Sequence, residues 1–296
     1  YSYLYNQNEG FHRVGASMVY GGWYPQLRTG VQQTWNRQLI DDQNRVITWN
    51  ETNFNAGVAL PLNFTSGRTF KSLTLSSSFN TEQLQYTGAA KLIRRDESLN
   101  YLTSSIVFIN QSQRAFQQLF PRWAQTFRVQ YRNTINGEMG NQLFMNAGLY
   151  LPGLMRNHNL VLFGSVQARD TLRGALFSNS FPFARGYNAI DFPRAVRWSA
   201  NYHLPLFYPE AGFGNMVYLL RVRANLFYDY TLGRSLRTGR VFPLSSTGCE
   251  MFFDMRLWNL FPVSLGVRYS RLLQNDLLAP AGSANRFELV LPMDLF

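Results

Sequence analysis

Asn53-Phe54-Asn55-Ala56-Gly57-Val58-Ala59-Leu60-Pro61-Leu62-Asn63-Phe64 has Phe54, Ala56, Val58, Leu60, Leu62 and Phe64 at its even positions and only small or polar residues or proline between them. Successive side chains of an extended strand point to opposite faces, so a period of two gives one oily face and one that is not. The pattern returns at Met216, Tyr218, Leu220, Val222, Ala224, Leu226, Tyr228 and Tyr230, opposed by Arg221, Arg223, Asn225 and Asp229. Faces this different imply two different solvents.

Working outward, the composition leaves two kinds of all-β protein, a soluble sandwich and a membrane barrel. The chain carries 16 tyrosines, 24 phenylalanines and 6 tryptophans, yet its mean hydropathy is slightly negative. No apolar run approaches the roughly 20 residues that a spanning helix needs. Strands of a sandwich run to about 5–6 residues, whereas these reach ten or more, long enough to cross a bilayer when tilted. Arg, Asn and Gln opposite the oily face suit a watery lumen better than a dry core. The expected fold is an antiparallel transmembrane β-barrel.

The lone cysteine, Cys249, falls on the oily face of its strand and reads as a small apolar residue. A formal charge of +11 raises the question of nucleic acid, but the arginines are spread along strand faces and turns, with no RNA- or DNA-binding motif around them. A basic lumen and contact with anionic lipid headgroups account for the charge, and no nucleic-acid partner is expected.

Strands are expected at about 11–23, 27–39, 46–64, 70–86, 101–113, 122–133, 142–151 and 159–169, then at 194–206, 215–231, 245–258, 263–272 and 286–296. That makes about thirteen. Two kinds of turn alternate. One kind is built on an apolar or aromatic residue followed by proline: Tyr24-Pro25, Leu60-Pro61, Phe120-Pro121, Leu151-Pro152, Tyr208-Pro209 and Phe261-Pro262. The other is polar, at 41–45, 91–97, 136–138, 233–240 and 275–284. Short periplasmic turns and longer outer loops are the rule for such barrels, so the proline turns belong at the periplasmic rim. The chain opens on Tyr1-Ser2-Tyr3-Leu4-Tyr5 without a signal peptide, which reads as a mature or truncated product. Bacterial single-chain barrels generally have an even strand count, and an open sheet would leave two unpaired edges in lipid, which is costly.

Between the two groups of strands lies Phe181-Pro182-Phe183-Ala184-Arg185-Gly186-Tyr187. Ala184 to Tyr187 resembles the arginine-glycine-aromatic motif in the sixth extracellular loop of the BamA, TamA and FhaC superfamily, the bacterial surface antigens. Asn225-Leu226-Phe227-Tyr228-Asp229 is similar to that family's aromatic-Phe-Asp segment, and Ser246-Thr247-Gly248 with Glu250 stands where its next strand pattern is expected. The resemblance implies a 16-stranded barrel with five strands after the loop, as here, and eleven before it. Residues 1–296 would then be the C-terminal part of the barrel domain, with about three strands and any periplasmic domain absent from this chain. Trp49-Asn50-Glu51-Thr52-Asn53 and Leu119-Phe120-Pro121-Arg122-Trp123 also resemble members whose barrel follows a periplasmic β-propeller. The implied location is the outer membrane of a Gram-negative bacterium, among outer-membrane lipids and lipopolysaccharide, with lipoprotein accessory subunits or unfolded barrel clients as partners.

Parity places Asp229 with Arg221 and Arg223 on the inward face, and Glu250, Asp254 and Arg256 together on the next. Arg185, on a loop folded into the lumen, is expected to pair bidentately with Asp229 and Glu250, with Asp254 as a further lumen partner. Gly186 would let the backbone turn and Tyr187 would pack beside it. The plainer alternative is a surface arginine, worth about 0–1 kcal/mol in any pair it makes. Pro292 removes a donor near the end of the last strand, which runs to Phe296, so the seam there should be weakly bonded. Alternation points Leu295 rather than Phe296 at lipid.

Catalysis is not expected. His12, His158 and His203 lie at no metal-ligand spacing, Gly15-Ala16-Ser17 lacks the second glycine of a nucleophile elbow, and no phosphate-cradling loop, metal or cofactor is implied. Three functions remain: an assembly, insertion or translocation factor whose seam opens to a client strand, a non-catalytic barrel anchoring a larger complex, and a passive anion-favouring pore.

Overall fold

In a computed structural model of the chain, the structure describes residues 1–6, 10–40, 45–115, 118–135, 140–170, 177, 181–188, 190, 192–236, 238–279 and 282–291. The strands are β1 (Ser2–Asn6), β2 (Phe11–Tyr20), β3 (Gln26–Ile40), β4 (Val46–Asn63), β5 (Thr69–Thr87), β6 (Glu97–Ser112), β7 (Ala124–Thr134) and β8 (Asn141–Pro152). They continue with β9 (Asn159–Arg169), β10 (Arg194–Phe207), β11 (Ala211–Phe213), β12 (Val217–Arg234), β13 (Val241–Leu257), β14 (Phe261–Leu272) and β15 (Asn285–Val290). All belong to one antiparallel sheet in chain order, with the three-residue β11 paired to β12 off the main path. Among the described residues β1 and β15 form the two ends of the sheet, with no pairing between them. Among the described residues no helix is long and apolar enough to cross a membrane, a fact that bears only on helices.

Each of the thirteen expected strands is present, and two were not anticipated. β1 has no alternation to detect, since four of its five residues are exposed, and β11 is too short to show a period. Nine strands precede the loop that holds Arg185, not the eight read from sequence, and the five wall strands that follow it match the count. Leu60-Pro61 is not a turn. Pro61 sits inside β4 opposite Thr74, and the chain reverses at 64–68, where Ser66 and Thr69 form an isolated bridge. A proline removes one donor without obliging the chain to turn. The last strand is described as far as Val290, so the expectations for Pro292, Leu295 and Phe296 lie outside the described residues.

Burial runs opposite to that of a soluble sandwich. On β12, Asn225, Asp229 and Thr231 are buried while Leu226 is 54% exposed; on β13, Glu250 and Asp254 are buried while Met251 is 43% exposed. Cys249 is exposed with Met251. The covered face is therefore the polar one. The alternation breaks at three register shifts, at Thr34/Arg37, Pro205/Phe207 and Leu219/Arg221. The last inserts an extra residue into β12, as a bulge does. Leu220, on the oily face by simple parity, thereby joins the wall of a cavity on the polar face.

Antiparallel order puts the connection at 113–123 and the one at 170–193 at opposite ends of the sheet. Described residues of both reach across the polar face. Leu119 is buried, the Phe120 ring lies 4.7 Å from His203 of β10 and 5.7 Å from Tyr150 of β8, and Asn159 Nδ2 donates to the Pro121 carbonyl at 3.2 Å. A turn between β6 and β7 is thus held three strands beyond β7. Replacing Phe120 with alanine removes the ring that locks this crossing. Trypsin should then cut at Arg114 and Arg122 several-fold faster under native conditions, with the rest of the sheet resistant.

Candidate functional site

The connection between β9 and β10 returns toward the polar face on apolar residues. Phe181, Ala184, Tyr187 and Phe192 form a buried cluster with Ala195 of β10, Leu244 of β13 and Leu272 of β14. Phe181 and Phe183 meet edge-on at 5.7 Å, and Phe192 stacks on Phe242 at 5.6 Å. Gly233 lets Phe192 approach, since a Cβ there would lie 2.3 Å from the ring. This packing fixes the loop in place before any charge is considered.

Arg185 then meets Asp229. Its Nε and backbone N–H donate to Asp229 Oδ2 at 2.7 and 3.0 Å, and its Nη2 donates to Oδ1 at 2.9 Å. Nη2 also donates to Asn201 Oδ1 at 2.6 Å, and Nη1 lies 3.2 Å from Glu250 Oε2. Asp229 is fully buried and receives a further bond from Arg197 Nη2 at 3.1 Å. Glu250 is held by Asn225 Nδ2 at 2.7 Å and by Arg268 Nε at 2.6 Å, and Arg268 reaches Glu288 of β15 at 2.9 Å. Burial alone would disfavour the guanidinium charge; Asp229 and Glu250 outweigh it, so the pKa of Arg185 is raised above the ordinary arginine value. One side chain therefore ties the loop to β10, β12 and β13, and through Arg268 to β14 and β15.

The face of the guanidinium is used as well. It lies 3.7 Å over the Phe227 ring, a close cation–π contact, and that ring sits over Gly248 of the next strand. A Cβ at Gly248 would come within 2.8 Å of Phe227 Cζ and 2.0 Å of the Tyr269 carbonyl. The same stack recurs one step along the sheet: Arg223 lies 4.3 Å over Phe252, and Phe252 covers Gly266.

Gly186 has φ +84°, and a Cβ there would lie 2.9 Å from Ser270 Cβ and 3.0 Å from Leu272 Cδ2. Only glycine meets both conditions without strain. The Tyr187 hydroxyl shares its proton between the Ser245 and Gln274 carbonyls at 2.9 and 3.0 Å, and accepts from the Gln274 amide at 3.1 Å. Asn188 Nδ2 donates to Asp276 at 2.8 Å.

Of the residues read from sequence, Arg185, Gly186, Tyr187, Asp229 and Glu250 come together. Asp254 does not join them. It is buried on the same face but engaged by Arg221 Nε at 2.5 Å, by Arg223 Nε at 3.1 Å and by Ser264 Oγ at 2.7 Å, because it stands four residues, two steps of the same face, from Glu250. Sequence reasoning missed Asn201, Phe227 as a ring platform, Arg268 and Gln274. Asn201 was within reach, since it shares strand parity with Ser199 and His203; the bond to Gln274 crosses 87 residues and has no local signal. Of the histidines, His158 pairs with Tyr202, His12 with Tyr3, and His203 packs on Phe120. Among the described residues no group of His, Cys, Asp and Glu could hold a metal.

Long antiparallel strands in one sheet, apolar outside and polar inside, with a loop ion-paired to the inner face, define a β-barrel of BamA-like fold. Among the solved structures that match is BamA from Haemophilus ducreyi lacking POTRA domains 1–3, with a TM-score of 0.58 at 11% identity, covering 94% of this chain and 60% of that one. The likeness is one of fold, and this chain spans 60% of the length of that structure. No family model matches the chain, and no curated protein does.

Arg185→Ala would leave Asp229 and Glu250 buried without their central cation. We expect a loss of about 3–5 kcal/mol, read from the urea midpoint of the folded protein in detergent. Arg185→Lys should lose most of the same amount, since one ammonium cannot serve Asp229, Asn201 and Glu250 at once. Gly248→Ala, whose Cβ would collide with the Tyr269 carbonyl of β14 as well as with the Phe227 ring, should cost at least about 1–3 kcal/mol and weaken the Arg185 contact with that ring.

Proposed function

We propose that this chain is an outer-membrane β-barrel of the BamA superfamily in a Gram-negative bacterium, acting without catalysis in protein insertion or translocation. The observation that carries the reading is the pairing of Arg185 with Asp229 and Glu250, which fastens a long loop across the strands next to the end of the sheet. The apolar outer face supports a lipid setting: Leu226, Met251, Val267 and Phe287 are all exposed along consecutive strands. Hydrocarbon rather than water makes that arrangement stable.

Among the described residues β15 pairs with β14 at one end of the sheet. In the assembly reading, a strand at that position offers backbone donors and acceptors to a client strand, while the loop and Arg268 tie β13 to β15 beside it. An open pore fits less well, because Leu119 and Phe120 of one connection and Phe181, Ala184, Tyr187 and Phe192 of the other cover the polar face.

Two measurements test this. Leu226→Arg should destabilise the protein by about 2–4 kcal/mol when folded into a bilayer; a change within about 0.5 kcal/mol, as at a water-exposed site, would remove the membrane from the reading. Affinity purification of the full-length gene product from native membranes should bring down lipoproteins and unfolded barrel clients. A fixed stoichiometric complex without clients would favour the anchoring role.

A further inference from the structure

Charge matching on the polar face changes along its length. Around Arg185, the cations Arg185, Arg197 and Arg268 meet Asp229, Glu250 and Glu288. Toward the end of the sheet that carries the proline turns, the balance tips. Asp254 alone serves both Arg221 and Arg223. Arg114 donates to the Leu119 carbonyl at 3.1 Å, and neither Arg114 nor Arg256 has a carboxylate within ion-pair distance among the described residues.

These groups surround one space. A pocket of about 440 Å³ is walled by Arg114, Arg221 and Arg256, with Tyr208 and Leu220, and its one acid is the exposed Glu210. It adjoins a cavity of about 560 Å³ beneath Arg185, whose wall also includes Arg114, Leu220 and Arg221. Two features of the fold shape this space. The crossing locked by Phe120 against His203 carries Arg114 to the pocket. The bulge at Leu219/Arg221 turns Leu220 into the same wall. Arg256 stands opposite Tyr218 on one side and Pro262 on the other, neither of which has an acidic side chain.

Arg221 is already paired with Asp254, while the exposed Arg114 and Arg256 face this partly enclosed space without a carboxylate of their own among the described residues. Their planar forks offer paired N–H donors suited to the oxygens of a phosphate or carboxylate. We propose that this pocket binds a phosphate group, either free phosphate or the headgroup of a phospholipid. The site rests on the geometry of the polar face and not on the assembly role, so either can fail alone.

The test uses the full chain in neutral detergent. Inorganic phosphate, followed by calorimetry, should bind saturably, and Arg114→Gln and Arg256→Gln should each weaken it about tenfold. Neither residue belongs to the Arg185 network, and retained folding is read from resistance to unfolding in sodium dodecyl sulfate before heating. As a measurement independent of variants, phosphate should slow trypsin cleavage at Arg114 in the unaltered protein. Short-chain phosphatidic acid is then added against bound phosphate: displacement assigns the site to lipid headgroups and lack of displacement to the free ion, both in support. Absence of saturable phosphate binding, absence of protection at Arg114, or undiminished affinity in both variants would overturn the proposal.

Discussion

A fully buried carboxylate must be answered by a cation, and in this protein the answer to Asp229 comes from a loop rather than from the wall alone. Arg197 supplies one bond from the neighbouring strand. Arg185 supplies three, two from its guanidinium and one from its own backbone. Because the uncompensated charge would cost several kcal/mol, the sheet and the loop cannot be considered separately. The apolar cluster around Phe181 and Phe192 positions the loop, and the ion pairs select one seating of it.

That seating depends on the absence of side chains as much as on their presence. Gly248 and Gly266 are bare so that Phe227 and Phe252 can lie flat on the inner face, and the flat rings give Arg185 and Arg223 a surface to cover. A polar interior would otherwise leave guanidinium planes facing water, where the contact is weak. Small residue, aromatic ring and cation thus form a repeating three-part unit between adjacent strands. In each unit the charged edge of the arginine remains free to bond carboxylates while its face is desolvated.

The legible and illegible parts of this structure divide by the range of the interaction. Alternation is local, so Phe54 to Phe64 and Met216 to Tyr230 disclosed both the strands and their two faces. Parity is also local, and it put Asp229 and Glu250 on the side where Arg185 finds them. It failed at Leu220, where a single inserted residue resets the phase, and at Pro61, where composition suggested a turn that the strand simply contains. Asp254 shows a different limit: its side of the strand was right, but which arginine it meets depends on height along the sheet. The crossing of Phe120 to His203 has no sequence mark, because nothing in a turn's composition says how far it will reach.

Both loops that lie over the inner face come earlier in the chain than the groups that hold them. Arg185 precedes Asp229 by 44 residues, and Tyr187 precedes Gln274 by 87. When either loop leaves the site of synthesis, its latch does not yet exist. Contacts so remote in sequence form slowly, after the chain between them has been gathered. The interior is therefore furnished last, and the C-terminal hairpins decide when the molecule stops being a hollow sheet.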